Sequence, residues 1–211
     1  MDRHFLGVAI AIAMFGTLAC VNGGNNGTLR LKNDITFEAV DGQAVLRITP
    51  DGDAVHIEDG AGTELLRLVL EPGRITILNA EKKPIGAVLP PTAEGRGYRV
   101  VTDDEAPPIF ELRPEPDGDF RVLDGNAALV YRAKLRDYGF KIVDRDGKVR
   151  SRVRSKNTKT SLRDRSGVTF MTTRDALSAA SAAALALEDL RFAYAVALSV
   201  AMVQWEPGAA P

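Results

Sequence analysis

The sequence predicts a mainly β protein (α+β overall) in which an antiparallel meander closes into a barrel of roughly 12 strands around a buried hydrophobic C-terminal helix. Two observations predict this fold class. Between residues 28 and 171, short runs of branched and aromatic residues alternate with polar ones and are separated by turn residues, which is typical of antiparallel strands. After residue 175, a long stretch is rich in Ala, Ser and Leu, as in a helix. A barrel is expected because closure leaves no strand edge exposed.

The strand runs follow one another with short turns between them. The clearest are 35–40, 44–48, 65–70 and 74–78, followed by 120–123, 128–132, 139–143 and 168–171. Asp-Gly pairs punctuate these runs, and both residue types accept the positive φ that tight hairpins require. A polar turn residue recurs about every 20 residues, as a repeated hairpin would place it, at Asp41, Asp59, Asn79, Asp103, Asp124, Asp144 and Asp164.

The C-terminal segment predicts a helix over about 174–204, with strands ending near 172. Thr173 or Asp175 is a suitable N-cap, and Pro207-Gly208 would end the helix. The segment is apolar on all sides, which indicates burial. Glu188, Asp189 and Arg191 stand at its centre. Charges at that position argue against a membrane span, and the helix is expected to be buried in protein, either in one piece or broken at Glu188.

Length and composition predict one globular domain without a marked metal or cofactor site. The chain has 211 residues, of which 45% are hydrophobic and 26% charged, with a net charge of −1. One cysteine excludes an intrachain disulfide framework and multi-cysteine metal sites, and two histidines leave little for acid–base chemistry. The sequence also lacks the well-marked nucleophile, zinc and nucleotide motifs. We therefore expect no metal and no cofactor.

The N-terminus has the pattern of a secretory signal peptide over residues 1–19. A basic start precedes residues 5–19, which carry no charge and are too short to span a bilayer comfortably. The sequence Thr17-Leu18-Ala19-Cys20 resembles the lipobox of bacterial lipoproteins, and Cys20 is the chain's only cysteine. This resemblance implies lipid attachment at Cys20 and a place in the bacterial cell envelope, with the outer membrane favoured by Val21. Residues 20–29 then form a flexible, glycine-rich tether before a single domain over 30–205.

The predicted architecture resembles the tubby-like fold, shared with phospholipid scramblases and plant LURP-one-related proteins. In that group a roughly 12-stranded barrel encloses a hydrophobic helix, and the hairpin over residues 140–149 is similar to its repeated unit. The resemblance covers about residues 30–205. It is architectural, and no ligand chemistry transfers with it residue by residue. An open sandwich and a partial barrel of the lipoprotein-carrier type, each with a packed helix, are the alternative folds.

Charge is strongly segregated along the chain. Residues 33–125 contain 19 acidic and nine basic side chains, whereas residues 132–165 contain 13 basic and four acidic ones. Within the basic block, strand periodicity puts four cations on one face, with Val149, Ser151, Val153 and Ser155 on the other. These cations are Arg150, Arg152, Arg154 and Lys156. Their expected counterpart is either the acidic half of the same chain or the phosphates of lipid headgroups, which arginine binds bidentately.

The other candidates are interpreted as ordinary structure. Asp51-Gly-Asp53 and Asp144-Arg-Asp146-Gly147 lack the full alternation of a calcium loop and predict hairpin turns. His56 has no second histidine nearby and predicts a strand residue. Asp103-Asp104-Glu105 is an acidic loop, and is also the place where a carboxylate-pair hydrolase would hold its acids.

Two functions therefore remain open. The favoured one is a non-enzymatic binding or scaffolding module on the envelope, with an anionic lipid or a partner protein as its ligand. Nucleic acid is not expected, because the protein is exported and nearly neutral. The alternative is a carboxylate-based envelope hydrolase, which needs two acids in one cleft.

Overall fold

A computed structural model describes residues 31–92, 97–102 and 107–205. The described chain forms strands and then helices, in the order the sequence predicts. The strands are β1 (Ile35–Glu38), β2 (Ala44–Asp51), β3 (Ala54–Asp59), β4 (Glu64–Glu71), β5 (Arg74–Asn79), β6 (Pro84–Leu89), β7 (Tyr98–Val101), β8 (Phe110–Pro114), β9 (Phe120–Asp124), β10 (Leu129–Arg136), β11 (Gly139–Asp144), β12 (Val149–Lys156), β13 (Lys159–Arg163) and β14 (Thr169–Thr173). The helices are α1 (Ala179–Leu185) and α2 (Phe192–Gln204).

The strands form a closed antiparallel barrel. Each strand pairs with the next one in sequence, and β1 pairs with β14 through Glu38 and Thr172. The prediction of a mainly β, closed barrel is therefore confirmed, with 14 strands in place of roughly 12. The open sandwich and the partial barrel are not the fold. We call the end at which β1 begins the N-terminal rim, and the end at which β1 finishes the Asx rim.

One turn motif recurs along the Asx rim and accounts for the repeat of about 20 residues. An Asp or Asn at the end of β3, β5, β9 and β11, and directly after β13, accepts backbone N–H bonds from residues two or four positions later. These residues are Asp59, Asn79, Asp124, Asp144 and Asp164. The fourth residue of each turn has positive φ, and two such residues, Lys82 and Ala127, are not glycine. The repeat is thus one hairpin with its side-chain cap; Asp103 lies outside the described residues.

The hydrophobic C-terminal segment forms two antiparallel helices rather than one. α1 packs on β11, β12 and β13, α2 packs on β5, β6 and β7, and the helices contact each other. The expected N-caps are wrong: Ser178 caps α1, accepting from the Ser181 backbone at 3.1 Å. Asp175 instead accepts from the backbone of Thr36 at 2.6 Å, so its carboxylate joins the chain just after β14 to β1. Residues 207–208 lie outside the described part.

The two helices are separated by residues 186–191, so of the two possibilities that the sequence leaves open, the structure has the helix broken at Glu188. Glu188 and Asp189 are exposed at the Asx rim, so the chain leaves the apolar interior where its charges occur. Searched over the described residues, no helix has the length and hydropathy needed to cross a membrane.

The core fills the barrel interior. Inward side chains of the strands, such as Phe37, Ile57 and Leu112, pack against helix residues such as Val196 and Leu198, and all five are fully buried. The helices can be apolar on every side because strands surround them. The predicted signal peptide, the predicted tether and Cys20 lie outside the described residues.

Candidate anion-binding site

The predicted cation stripe lies on β12 and faces outward, but its members separate into two groups. Ser151 and Val153 are buried on the inner face, as the alternation predicts. Arg150 lies nearest the Asx rim, and its guanidinium contacts Glu188 at 3.3 Å. Arg150 is therefore compensated within the protein. Arg152, Arg154 and Lys156 make no ion pair with any described residue.

Cations on the neighbouring strands complete a surface that runs across the barrel wall. Directly opposite residues of antiparallel strands face the same side, and the register pairs Arg152 with Arg163 and Lys156 with Lys159. Arg154 lies opposite Ser161, which in turn lies opposite Thr172 on β14. The small Ser161 side chain leaves space between the longer ones around it, so the surface is concave.

This concavity, which we call the basic groove, has two connected lobes. The first is about 550 Å³ and lies at the N-terminal rim; its lining residues are Arg154, Lys156, Asn157, Thr158, Lys159, Ser161, Arg163 and Arg174. The second is about 320 Å³ and is lined by Tyr138, Arg152, Arg154 and Arg163. Arg154 and Arg163 belong to both lobes. Neither lobe has an acidic lining residue, so the groove offers donors and positive charge without a general base.

The geometry of the surrounding turns shapes the groove. Asn157 adopts φ of 55° in the tight β12–β13 hairpin, a conformation that asparagine tolerates better than most residues. The hairpin places Lys156 and Lys159 side by side. At the other lobe, Gly139 has φ of 128°, and a Cβ there would lie 2.4 Å from the Val153 carbonyl oxygen. Glycine is therefore required where β11 approaches β12 beside Arg154.

Among the described residues, the cations of the groove lack the carboxylate partners that a second arginine-rich surface, on β8, β9 and β10, has. Arg113, Arg121 and Arg132 also face outward on consecutive strands, but each pairs with a carboxylate, Glu111 or Glu115. Around the groove, a cross-strand row of like charges runs from Lys134 through Lys141 and Arg152 to Arg163. Adjacent strands are only about 4.8 Å apart, and like charges directly opposite one another destabilise a sheet. Repulsion within this row therefore destabilises the sheet, and a bound anion would reduce that repulsion.

Two polar details mark the groove's centre and its border. The Arg163 Nε is shielded from solvent and has no hydrogen-bond partner among the described residues, so one buried donor is left for a ligand. Glu38 is exposed and faces outward beside Thr172, across the seam between β1 and β14. Its carboxylate opposes anion binding at this border of the groove.

The acidic residues gather elsewhere, in the β8–β9 turn. Oxygens of Glu115, Asp117 and Asp119 lie within 4.8 Å of one another, but the guanidinium of Arg132 is 3.2 Å from Glu115 and from Asp119 and 3.9 Å from Asp117. A cation of the chain itself thus occupies the position a metal would take. Glu115 and Asp119 border a separate, mainly apolar cavity of about 150 Å³ near Tyr98. The Asp103–Glu105 acids lie outside the described residues.

His56 and the two calcium-like loops are parts of ordinary β structure. His56 is a β3 residue whose Nδ1 lies 3.2 Å from Glu64, and Glu64 also receives a hydrogen bond from Arg67. That bond, more than any other contact, lowers the pKa of the Glu64 carboxyl. Asp144 caps its hairpin through the backbone of Asp146 and Lys148, and the 51–53 segment is the β2–β3 turn.

Sequence reasoning missed the three groove cations that do not belong to β12. Lys159 and Arg163 share the outward face of β13, and the alternation over 159–163 is the signal that could have found them. Their partnership with Arg154 depends on the β12–β13 register, which the turn at Asn157 sets. Arg174 follows β14, and the β13–β14 hairpin register, which places Thr173 opposite Thr160, brings it to the end of the groove.

Comparison with known proteins adds little to this geometry. No protein-family model matches the chain, and neither does any curated protein. Two solved structures are similar over part of it. A protein from Arabidopsis thaliana is 14% identical, with 48% of this chain and 71% of that chain covered and a TM-score of 0.35. BamB from Moraxella catarrhalis is 11% identical, with 60% and 66% covered and a TM-score of 0.28. Both scores are too low to carry an argument about fold or function.

Proposed function

We propose that this protein is an envelope-anchored lipoprotein that acts as a non-enzymatic binding module, and that its basic groove holds the phosphate groups of anionic lipid headgroups. The observation that carries the proposal is the set of cations around Ser161 that have no ion-pair partner among the described residues. Arg154, Lys156, Lys159, Arg163 and Arg174 converge on one concavity without an acidic lining residue. Guanidinium groups bind phosphate bidentately and more strongly than they bind neutral acceptors.

The position of the chain's entrance into the barrel supports a lipid as the source of the phosphate. β1 begins at the N-terminal rim, beside the end of β14 and therefore close to Arg174. The tether proposed for residues 20–29 would leave from this rim. A flexible chain of that length spans roughly 20 Å, so a lipid on Cys20 would keep the groove within reach of headgroups. The tubby-like relationship is also part of this proposal, since a barrel that encloses apolar helices is the architecture it implies.

Binding to a soluble lipid tests the proposal without interference from the membrane anchor. Whole protein purified in a nonionic detergent is titrated calorimetrically with dihexanoyl phosphatidylglycerol and, for comparison, with zwitterionic dihexanoyl phosphatidylcholine. We expect binding of the anionic lipid only, and weaker binding as salt rises and the Debye length shrinks from about 10 Å to about 3 Å. Equal heats for the two lipids would contradict the proposal and leave an acidic surface of an envelope protein as the ligand.

A matched pair of charge reversals locates the binding. Arg154→Glu removes a cation shared by both lobes, and we expect at least a tenfold loss of affinity for the anionic lipid. Lys82→Glu makes the same change of charge at an exposed turn on the β5–β6 hairpin and should leave affinity within about twofold. Equal losses in both variants would mean that net charge, and not the groove, governs binding.

The anchor has its own test. Cells producing the wild-type protein or the Cys20→Ser variant are grown with a clickable fatty acid, and label is measured on the purified chain. We expect label on the wild type, which fractionates with the outer membrane, and none on the variant. Equal labelling of the two proteins would exclude Cys20 as the attachment site.

A further inference from the structure

Most of the exposed large apolar side chains gather at one place on the barrel. Among the described residues, six large hydrophobic side chains are exposed, and four of them flank the β1–β14 seam at the Asx rim. These four, which we call the seam cluster, are Val40 (76% exposed), Val168 (62%), Phe170 (43%) and Val45 (40%). Single exposed apolar residues are ordinary on a protein surface, but a contiguous group indicates a contact with something apolar.

The strand register brings the cluster together. β1 and β14 are antiparallel neighbours joined at Glu38 and Thr172, so the turn that carries Val40 and the turn that carries Val168 stand side by side. Val45 belongs to β2, one position beyond the Ala44 that pairs with Glu38. Phe170 lies two positions before Thr172 on β14. The four side chains therefore cover the end of one seam.

The cluster is continuous with the basic groove. Arg163, which lines both groove lobes, pairs with Thr169 on β14. Phe170 follows Thr169 and is the extra residue where the β13–β14 register shifts. On the other side, the Arg152 guanidinium donates to the Arg165 carbonyl at 3.0 Å and so holds the β13–β14 turn that leads to Val168. An aromatic ring thus stands on the barrel wall next to a guanidinium that has no ion-pair partner among the described residues.

We infer that the outer face of β12–β14 lies flat on an anionic bilayer, with the seam cluster inserted at the headgroup–acyl boundary and the basic groove over the headgroups. The inference deepens the proposed function and rests on it. A surface that combines apolar side chains with cations is the combination that binds anionic interfaces, since apolar burial and charge attraction add. A second protein with an acidic surface would complement the groove but would leave Phe170 and Val168 without an apolar partner.

Depth-dependent fluorescence quenching tests this inference on the whole protein. Phe170→Trp and Phe192→Trp introduce the same indole at two sites of nearly equal exposure, 43% and 46%, and Phe192 lies at the start of α2, away from the groove strands. Each protein is mixed with phosphatidylglycerol-containing vesicles in which a fraction of the lipid carries a nitroxide near the top of the acyl chain. The fluorescence of Trp205, the chain's own tryptophan, is measured in the wild type and subtracted. We expect strong quenching at position 170 and little at position 192.

The possible results separate the two proposals. In full-length chains that also carry Cys20→Ser, so that no lipid anchor contributes, Phe170→Ser should weaken vesicle binding by about tenfold, the loss expected when one aromatic side chain no longer reaches an apolar phase. Soluble dihexanoyl phosphatidylglycerol should still bind as in the wild type. Soluble lipid binding without quenching at position 170 would overturn the inference and leave the proposed function intact. Loss of binding to the soluble lipid would overturn both.

A wild type that sediments as a dimer and a Phe170→Ser variant that sediments as a monomer would assign the cluster to a second copy, and would also overturn the inference.

Discussion

The Tyr131 hydroxyl, on the wall strand β10, donates a hydrogen bond to the carboxylate of Asp189, in the segment between the two enclosed helices. Two further contacts fix the same segment to β12: Ser151 donates to the Ala186 carbonyl at 2.6 Å, and Arg150 pairs with Glu188. The helical hairpin is therefore fastened to the barrel wall at the Asx rim. The same contacts explain why Arg150 is not available to the basic groove.

Replacement of Tyr131 by phenylalanine should reduce the free energy of unfolding by about 1 kcal/mol. The ring is 1% exposed and would stay packed, so the variant loses the hydrogen bond and little else. Asp189 is exposed and can turn to water, which keeps the loss small. Urea unfolding followed by circular dichroism measures it. A variant as stable as the wild type would show that this bond does not hold the helices in place.

The buried hydroxyl of Tyr131 should also make the protein less stable at alkaline pH. Burial, followed by the hydrogen bond to Asp189, raises the pKa of the Tyr131 hydroxyl well above its ordinary range. Because the unfolded chain then releases this proton at a lower pH than the native protein does, stability from this group is complete below pH of about 10 and falls as the pH rises further. We expect the free energy of unfolding of the wild type to decline more steeply above that pH than that of Tyr131→Phe. Parallel declines would contradict the assignment.

Substitutions at one equivalent position in two of the repeated Asx turns should change the free energy of unfolding in opposite directions. Ala127 and Gly147 both have positive φ, 60° and 78°, at the same place in successive turns. A left-handed conformation strains alanine but not glycine. Ala127→Gly should therefore stabilise the protein by about 0.5–1 kcal/mol, and Gly147→Ala, whose new Cβ would meet no atom within 4 Å, should destabilise it by a similar amount. Shifts of the same sign in the urea midpoint would count against this account.

The two helices should be required for folding. They fill the interior of the barrel with side chains such as Val196 and Leu198, which are fully buried, and their removal would leave a large apolar cavity that the strands cannot close. A chain that ends at Thr173 should be insoluble or lack a cooperative thermal transition. A soluble truncated protein that melts cooperatively would show that the helices are peripheral to the fold.

The sequence predicts the fold better than the site, for physical reasons. Period-two alternation and turn residues are local signals, so the strand meander follows from them, and a closed barrel is expected because closure leaves no strand edge exposed. The sequence leaves open whether the C-terminal helix is one piece or two. The sequence predicts roughly 12 strands and the structure has 14, because a strand as short as β7, with four residues, offers few positions at which alternation can be recognised. The site depends on register and closure, which are not local. The outward face of β12 follows from its own residues. The pairing of Arg150 with Glu188, however, depends on a tertiary contact, and the place of Arg174 beside the groove depends on the β13–β14 register.

Glu38 provides a gain-of-function test of the groove. Its exposed carboxylate faces outward across the seam from Thr172 and should repel an anion. Glu38→Gln should increase affinity for dihexanoyl phosphatidylglycerol by about two- to fivefold at low salt and by less at high salt, because such interactions are screened. The control is Glu58→Gln on β3, which removes the same charge farther around the barrel. Equal gains in both variants would indicate a general charge effect and not a site bordered by Glu38.

The central claim is that the basic groove binds phosphate groups, and the arginine side-chain signals in a ¹⁵N NMR spectrum test it most directly. The Arg163 Nε has no partner among the described residues, whereas the Arg113 Nε already donates to Glu111 at 3.1 Å. On titration with dihexanoyl phosphatidylglycerol, the Nε signals of Arg163 and Arg154 should shift in a saturable way while that of Arg113 stays in place. Saturable shifts confined to arginines outside the groove, or no shift at Arg163 and Arg154, would contradict the account.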